Sequence, residues 1–71
     1  MVMWVVYDHP ADFPNTFVAR RFLISAAGSV PCDDVIVSPD LDGIRMVLAA
    51  EGLTMLGRDP GDDPVIMETW L

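Results

Sequence analysis

The stretch YDHPADFPN, residues 7–15, holds the one histidine of the chain, His9, between two carboxylates, Asp8 and Asp12. An imidazole beside an acid is the arrangement of an oriented general base. Nucleophilic catalysis would further require a serine or cysteine within reach of that ring. Ser25, Ser29, Ser38 and Cys32 are present, but none lies in a nucleophile-elbow context. Pro10 and Pro14 remove backbone donors and bias the residues before them towards extended geometry. The stretch is therefore expected to be a stiff turn whose histidine bonds locally or packs beside Tyr7.

Other chemistry-bearing residues are less suited to a reaction. DLDG, residues 40–43, resembles the opening of a calcium loop but lacks the third ligand before its glycine and the glutamate that follows it. DPGDDP, residues 59–64, would hold a weakly bound cation only by chance. Cys32 precedes Asp33 and Asp34, two anions that disfavour the thiolate. GRDPG lacks the lysine and the following helix of a phosphate loop. No catalytic residue, cofactor or metal site is expected.

What the composition does favour is a charge-driven partner. Eleven acidic groups oppose four basic ones for a formal net charge of −7, and all four basic residues are arginine. Phosphate affinity comes from cationic side chains, so direct nucleic-acid binding is not expected, nor is binding to anionic membranes. A basic protein surface should attract this chain. Candidate contact residues are the acids of the turns, Asp8, Asp12, Asp33, Asp34, Asp59, Asp62 and Asp63, with Glu68 near the end of the sequence. Held on turns, spaced carboxylates would imitate part of a phosphate backbone, which carries one charge per ~3.4 Å of axis on each strand. Aspartate also collects in turns because it hydrogen-bonds locally there, the competing explanation for the same pattern. Trp4, Trp70, Tyr7 and Phe13 are the candidate apolar anchors, wherever they are exposed.

The elements that would position these residues follow from pattern. Val2–Tyr7 is β-branched and aromatic and predicts a strand, and Thr16–Ile24 predicts a second. In the second, Arg20 and Arg21 fall on opposite faces, so one must run its stem along apolar packing to reach an acid or the rim. SAAGSVP is a small-residue connection before a short third strand over Asp34–Val37. Ser38 is the expected helix N-cap, with Pro39 at the first helical position and Asp40 and Asp42 in the first turn. Leu41, Ile44, Val47 and Leu48 share one face of that helix, and Gly52 ends it. Leu53–Gly57 and Val65–Leu71 are the last two strands. The expected fold is α+β, a small and mostly antiparallel sheet of four to five strands with one helix on one face, in the order ββ-β-α-ββ.

Seventy-one residues make one domain, with stability limited by the ~60% of surface that so small a chain can bury. The hydrophobic fraction of 52% places it among folded proteins. One cysteine leaves no internal disulfide, and the apolar start is too short to span a bilayer and lacks a basic leader. These features predict a cytoplasmic protein, a monomer or weak dimer.

The Tyr7–Pro10 and Asp62–Trp70 stretches, YDHP and DDPVIMETW, resemble the two ends of a set of small bacterial and phage-borne proteins with no known catalytic motif. The chain also resembles anti-CRISPR proteins of type I systems, type I-C in particular, which are tiny, acidic and cofactor-free. That resemblance implies a non-enzymatic inhibitor binding a Cascade-type surveillance complex at its DNA-recognition subunit and blocking target DNA. The alternative is an accessory interaction module whose acid only confers solubility. A small enzyme using His9 is the third expectation.

Overall fold

The computed structural model describes residues 1–57 and 65–71. Five strands and one helix follow in the order β1 (Val2–Asp8), β2 (Phe17–Ser25), β3 (Gly28–Ser38), α1 (Leu41–Ala50), β4 (Met55–Gly57) and β5 (Ile66–Trp70). The strands form one antiparallel sheet in the spatial order β3-β2-β1-β5-β4. The expected α+β class and element order hold. Central position explains the unbroken apolar run of β1. Adjacent residues of a strand point to opposite faces, and Val5 and Val6 are both buried.

Alternation and register assign the faces. Val6 pairs with Ala19, Ala19 with Ile36, and Trp4 with Trp70, which sets these side chains on one side of the sheet. The helix lies on that side. Ile44 and Leu48 are fully buried and join Val6, Ala19 and Trp70 in the core, with Trp4, Phe17, Ile36, Leu41, Leu53 and Met67 packed around them. Full burial of an aliphatic side chain contributes about 1.5–3 kcal/mol, so two helical positions supply much of what fastens α1. Val47, expected on the same face, is instead 43% exposed, because the helix meets the sheet along the Ile44–Leu48 line and leaves its neighbour at the margin.

Two further expectations are corrected. The third strand runs over Gly28–Ser38 rather than Asp34–Val37, since SAAG closes a tight hairpin in place of a loose connection. Ser25 pairs with Gly28 across Ala26 and Ala27, and Gly28 takes the positive φ of 121° that this turn requires and an alanine would resist. Ser38 is also not the helix N-cap. It is the last residue of β3, paired with Phe17, and its carbonyl accepts from Thr16 Oγ1. Its hydroxyl accepts from the Asp40 amide at 3.2 Å, and Asp40, in extended geometry, is the N-cap residue. The strand claims Ser38, so the helix starts later than its sequence signal. At the other end Gly52, at φ 81°, terminates α1 as expected.

Leu48→Ala should destabilise the fold by about 2–5 kcal/mol in denaturant unfolding. Met46→Ala, at a helical position that is 73% exposed, should stay within about 0.5 kcal/mol. Equal effects of the two would contradict the packing face assigned to α1.

Candidate partner-binding surface

The turn after β1 is tied down at several points. The Asp8 amide donates to the Val65 carbonyl at 2.7 Å, the Phe13 amide to Pro10 at 2.9 Å and the Thr16 amide to Phe13 at 3.4 Å. His9 sits at φ 49°, the one positive φ outside glycine among the described residues. Its Nδ1 contacts the Asp8 carboxylate, and its ring meets Phe17 edge-on, with centroids 4.9 Å apart. The lone imidazole is thus seated between a carboxylate and a phenyl ring. It does not pack beside Tyr7, which lies on the other face of the sheet, with Val18 and Arg20.

The two arginines of β2 reach acid on opposite faces. Arg20 pairs with Asp12 through Nη2 on the face without the helix, and its guanidinium stands 5.9 Å from the centre of the Phe13 ring. The turn is therefore drawn over that face, where Val5 and Val18 are buried. Arg21, on the helix side, donates from Nη1 to Asp34 at 2.6 Å. The register explains why Asp34 is there. Arg20 pairs with Val35 but Phe22 with Pro31, so residues 32–34 of β3 bulge opposite Arg21 alone. Such a bulge re-aims side chains at a sheet edge. It presents Asp33 and Asp34 from an edge strand, with Cys32 half-buried beside them.

Glu68 has a different place from the other candidate acids. It is 3% exposed, on the helix side of β5, two residues before Trp70 and therefore on the same face. Its Oε2 accepts from Arg45 Nε at 2.9 Å and also from Nη2, while Oε1 accepts from Trp70 Nε1 at 3.1 Å. The hydrogen bond to Glu68 is the main cause of a raised Arg45 pKa. Arg45 also approaches Asp42 at 3.8 Å, one helical turn away. Glu68 thus anchors α1 to β5 and does not contribute to an exposed acidic surface. The sequence signal for this is the ETW alternation, which puts a carboxylate and an indole on one face of a strand.

The structure consequently brings some of the sequence-predicted acids together and separates others. Asp8, Phe17 and Ser38 form one row across the sheet, so the β1–β2 turn with Asp8 and Asp12 shares an end of the molecule with Asp40 and Asp42 at the start of α1. Asp33 and Asp34 lie on the β3 edge. Asp59, Asp62 and Asp63 lie outside the described residues. Each described arginine is in an ion pair, Arg20 with Asp12, Arg21 with Asp34 and Arg45 with Glu68. Asp33, Asp40 and Glu51 form no ion pair among the described residues. No group of three or more potential metal ligands occurs among them either. Of the four aromatic anchors, Trp70 is buried and Phe13 is exposed beside Arg20, with Trp4 and Tyr7 half-buried. No helix of the described residues is long and apolar enough to cross a membrane.

Two measurements check this arrangement. Glu68→Leu keeps apolar volume but leaves the Trp70 indole N–H without its acceptor, and should cost about 1–3 kcal/mol, with Glu68→Gln milder because an acceptor remains. Equal losses would show that the indole bond contributes nothing. Tyr7, the only tyrosine, has its pKa raised above 10.0 by burial, partly opposed by the charge of Arg20. The neutral phenol is favoured in the fold, so its contribution is complete below pH 10 and is lost as pH rises through the folded value. Absorbance titration at alkaline pH should give a midpoint above that of the unfolded chain, and Tyr7→Phe should flatten the fall in stability there. Coincident midpoints for folded and unfolded chain would contradict the burial of the ring. Comparisons with protein-family models, with curated proteins and with solved structures find no match to this chain.

Proposed function

We propose that this chain is a non-enzymatic binding protein that sets its acidic surface against a basic, nucleic-acid-binding surface of another protein and so inhibits it. One observation carries this reading. The three described arginines are each closed onto a carboxylate of the same chain, while the exposed Asp33, Asp40 and Glu51 form no ion pair among the described residues and keep the outward field negative. A surface whose described arginines are internally neutralised offers a cationic partner attraction with little local repulsion. The anchoring of the acidic turn supports the same reading, since its backbone is tied by hydrogen bonds and by the Arg20–Asp12 pair and loses little freedom on docking. The resemblance of the sequence to type I anti-CRISPR proteins directs the proposal to the DNA-recognition subunit of a surveillance complex. Its positively charged channel would be occupied in place of target DNA, a partial mimicry of the phosphate backbone.

Pull-down and mobility-shift assays with a purified type I-C surveillance complex test this. Binding should be present at low salt, weaken steadily as salt rises and reduce loading of target DNA. Asp8→Asn with Asp33→Asn, and separately the triple Asn variant of Asp59, Asp62 and Asp63, should slow association several-fold, as rim charges act mainly on the on-rate. His9→Ala should retain inhibition. Undisturbed DNA loading, or no capture at low salt, would refute the proposal, and loss of activity in a folded His9→Ala protein would return attention to catalysis.

A further inference from the structure

Besides the acidic turns, the described surface holds a cleft of about 650 Å³ between the C-terminal half of α1 and the β1–β2–β3 face. Apolar side chains line it, among them Trp4 of β1, Ile36 of β3, Val47 of α1 and Leu53 after the helix. Three charged side chains line it as well. Arg21 and Asp34 neutralise each other at 2.6 Å, which leaves Glu51 as the uncompensated lining charge.

Glu51 is placed against helix electrostatics. The C-terminal end of a helix carries partial negative charge and favours a cation. Here the last turn has no basic residue, and an exposed glutamate without an ion pair among the described residues follows it. Val47 meanwhile leaves apolar surface of the helix uncovered at the cleft wall. Apolar side chains beside one uncompensated carboxylate and a helix C-terminus complement one kind of side chain, a long aliphatic stem with a cationic head. We propose that the cleft receives an arginine or lysine side chain of the partner, with its stem on Ile36, Val47 and Leu53 and its head between Glu51 and the helix end. Trp4 contributes an indole on which such a stem and cation pack favourably. This rests on the binding reading above and adds to it the anchor that rim carboxylates alone do not supply.

The test is an NMR titration of the full chain with an acetylated, amidated pentapeptide Gly-Leu-Arg-Leu-Gly and its glutamine counterpart. The arginine peptide should shift the Trp4 indole, the Val47 methyls and the Glu51 amide together, and bind more tightly than the glutamine peptide. Glu51→Gln should weaken it roughly two- to five-fold and leave the glutamine peptide unaffected. No shift at Trp4 and Val47, equal affinity for both peptides, or an unchanged Glu51→Gln protein would each overturn the proposal. Val47→Arg, at an exposed position, places a cation in the cleft and should abolish the titration, its fold checked by circular dichroism. The same variant separates the two proposals. If it binds the surveillance complex as tightly as the parent, the cleft is not the anchor although acidic docking stands. If the parent fails to bind the complex while the arginine peptide still titrates the cleft, the cleft stands and the choice of partner fails.

Discussion

The Glu68 carboxylate, buried between α1 and β5, is the interaction on which the arrangement of the domain turns. A five-stranded sheet with one helix must place that helix on one line across its face, and apolar contact is not directional. Ile44 and Leu48 supply attraction, while Glu68 supplies direction, because both of its oxygens are engaged by groups with fixed geometry, Arg45 and the Trp70 indole. The bond joins helix to strand, and the indole it orients is itself part of the core. Taking a carboxylate out of water is costly unless it is paired and hydrogen-bonded, and here both conditions are met.

That bond also shapes the exterior. By engaging Arg45 it removes one of few cations from the outward field, and Arg20 and Arg21 are removed in the same manner by Asp12 and Asp34. Each pair also does structural work. Arg20 draws the β1–β2 turn over the helix-free face, and Arg21 faces the β3 bulge. Arg20, Arg21 and Arg45 each tie one part of the chain to another, and among the described residues Asp33 on the edge strand, Asp40 at the helix start and Glu51 at the helix end remain exposed and without an ion pair. The alignment of Ile44 and Leu48 on the sheet likewise leaves Val47 and the helix end open, which creates the cleft.

Much of this was legible in residue patterns and some was not. The apolar run of β1, the alternation in β2 and the helical spacing of Leu41, Ile44 and Leu48 were readable because they express local periodicity. The extent of β3 was not, since SAAG has no strong turn signature and the strand is stabilised by pairing with β2. The helix start was misplaced for a related reason. Ser38 has the chemistry of a cap, but pairing with Phe17 and the bond from Thr16 hold it in the sheet. Among the candidate acids only Glu68 carried a distinguishing cue, its alternation with Trp70, and the structure separates them all: Glu68 is buried, Asp12 and Asp34 are paired with arginine, and Asp33 is free of ion pairs among the described residues.

The sequence by itself determined the sign and size of the charge, the class of the fold and the elements whose periodicity is local. Only the tertiary structure decided which acids face outward, which arginines are spent inside and where an apolar cleft remains. Those outcomes depend on partners distant in sequence, such as Arg45 with Glu68 or Arg21 with Asp34. They are fixed by strand register and helix placement, and these are set when the whole core packs at once.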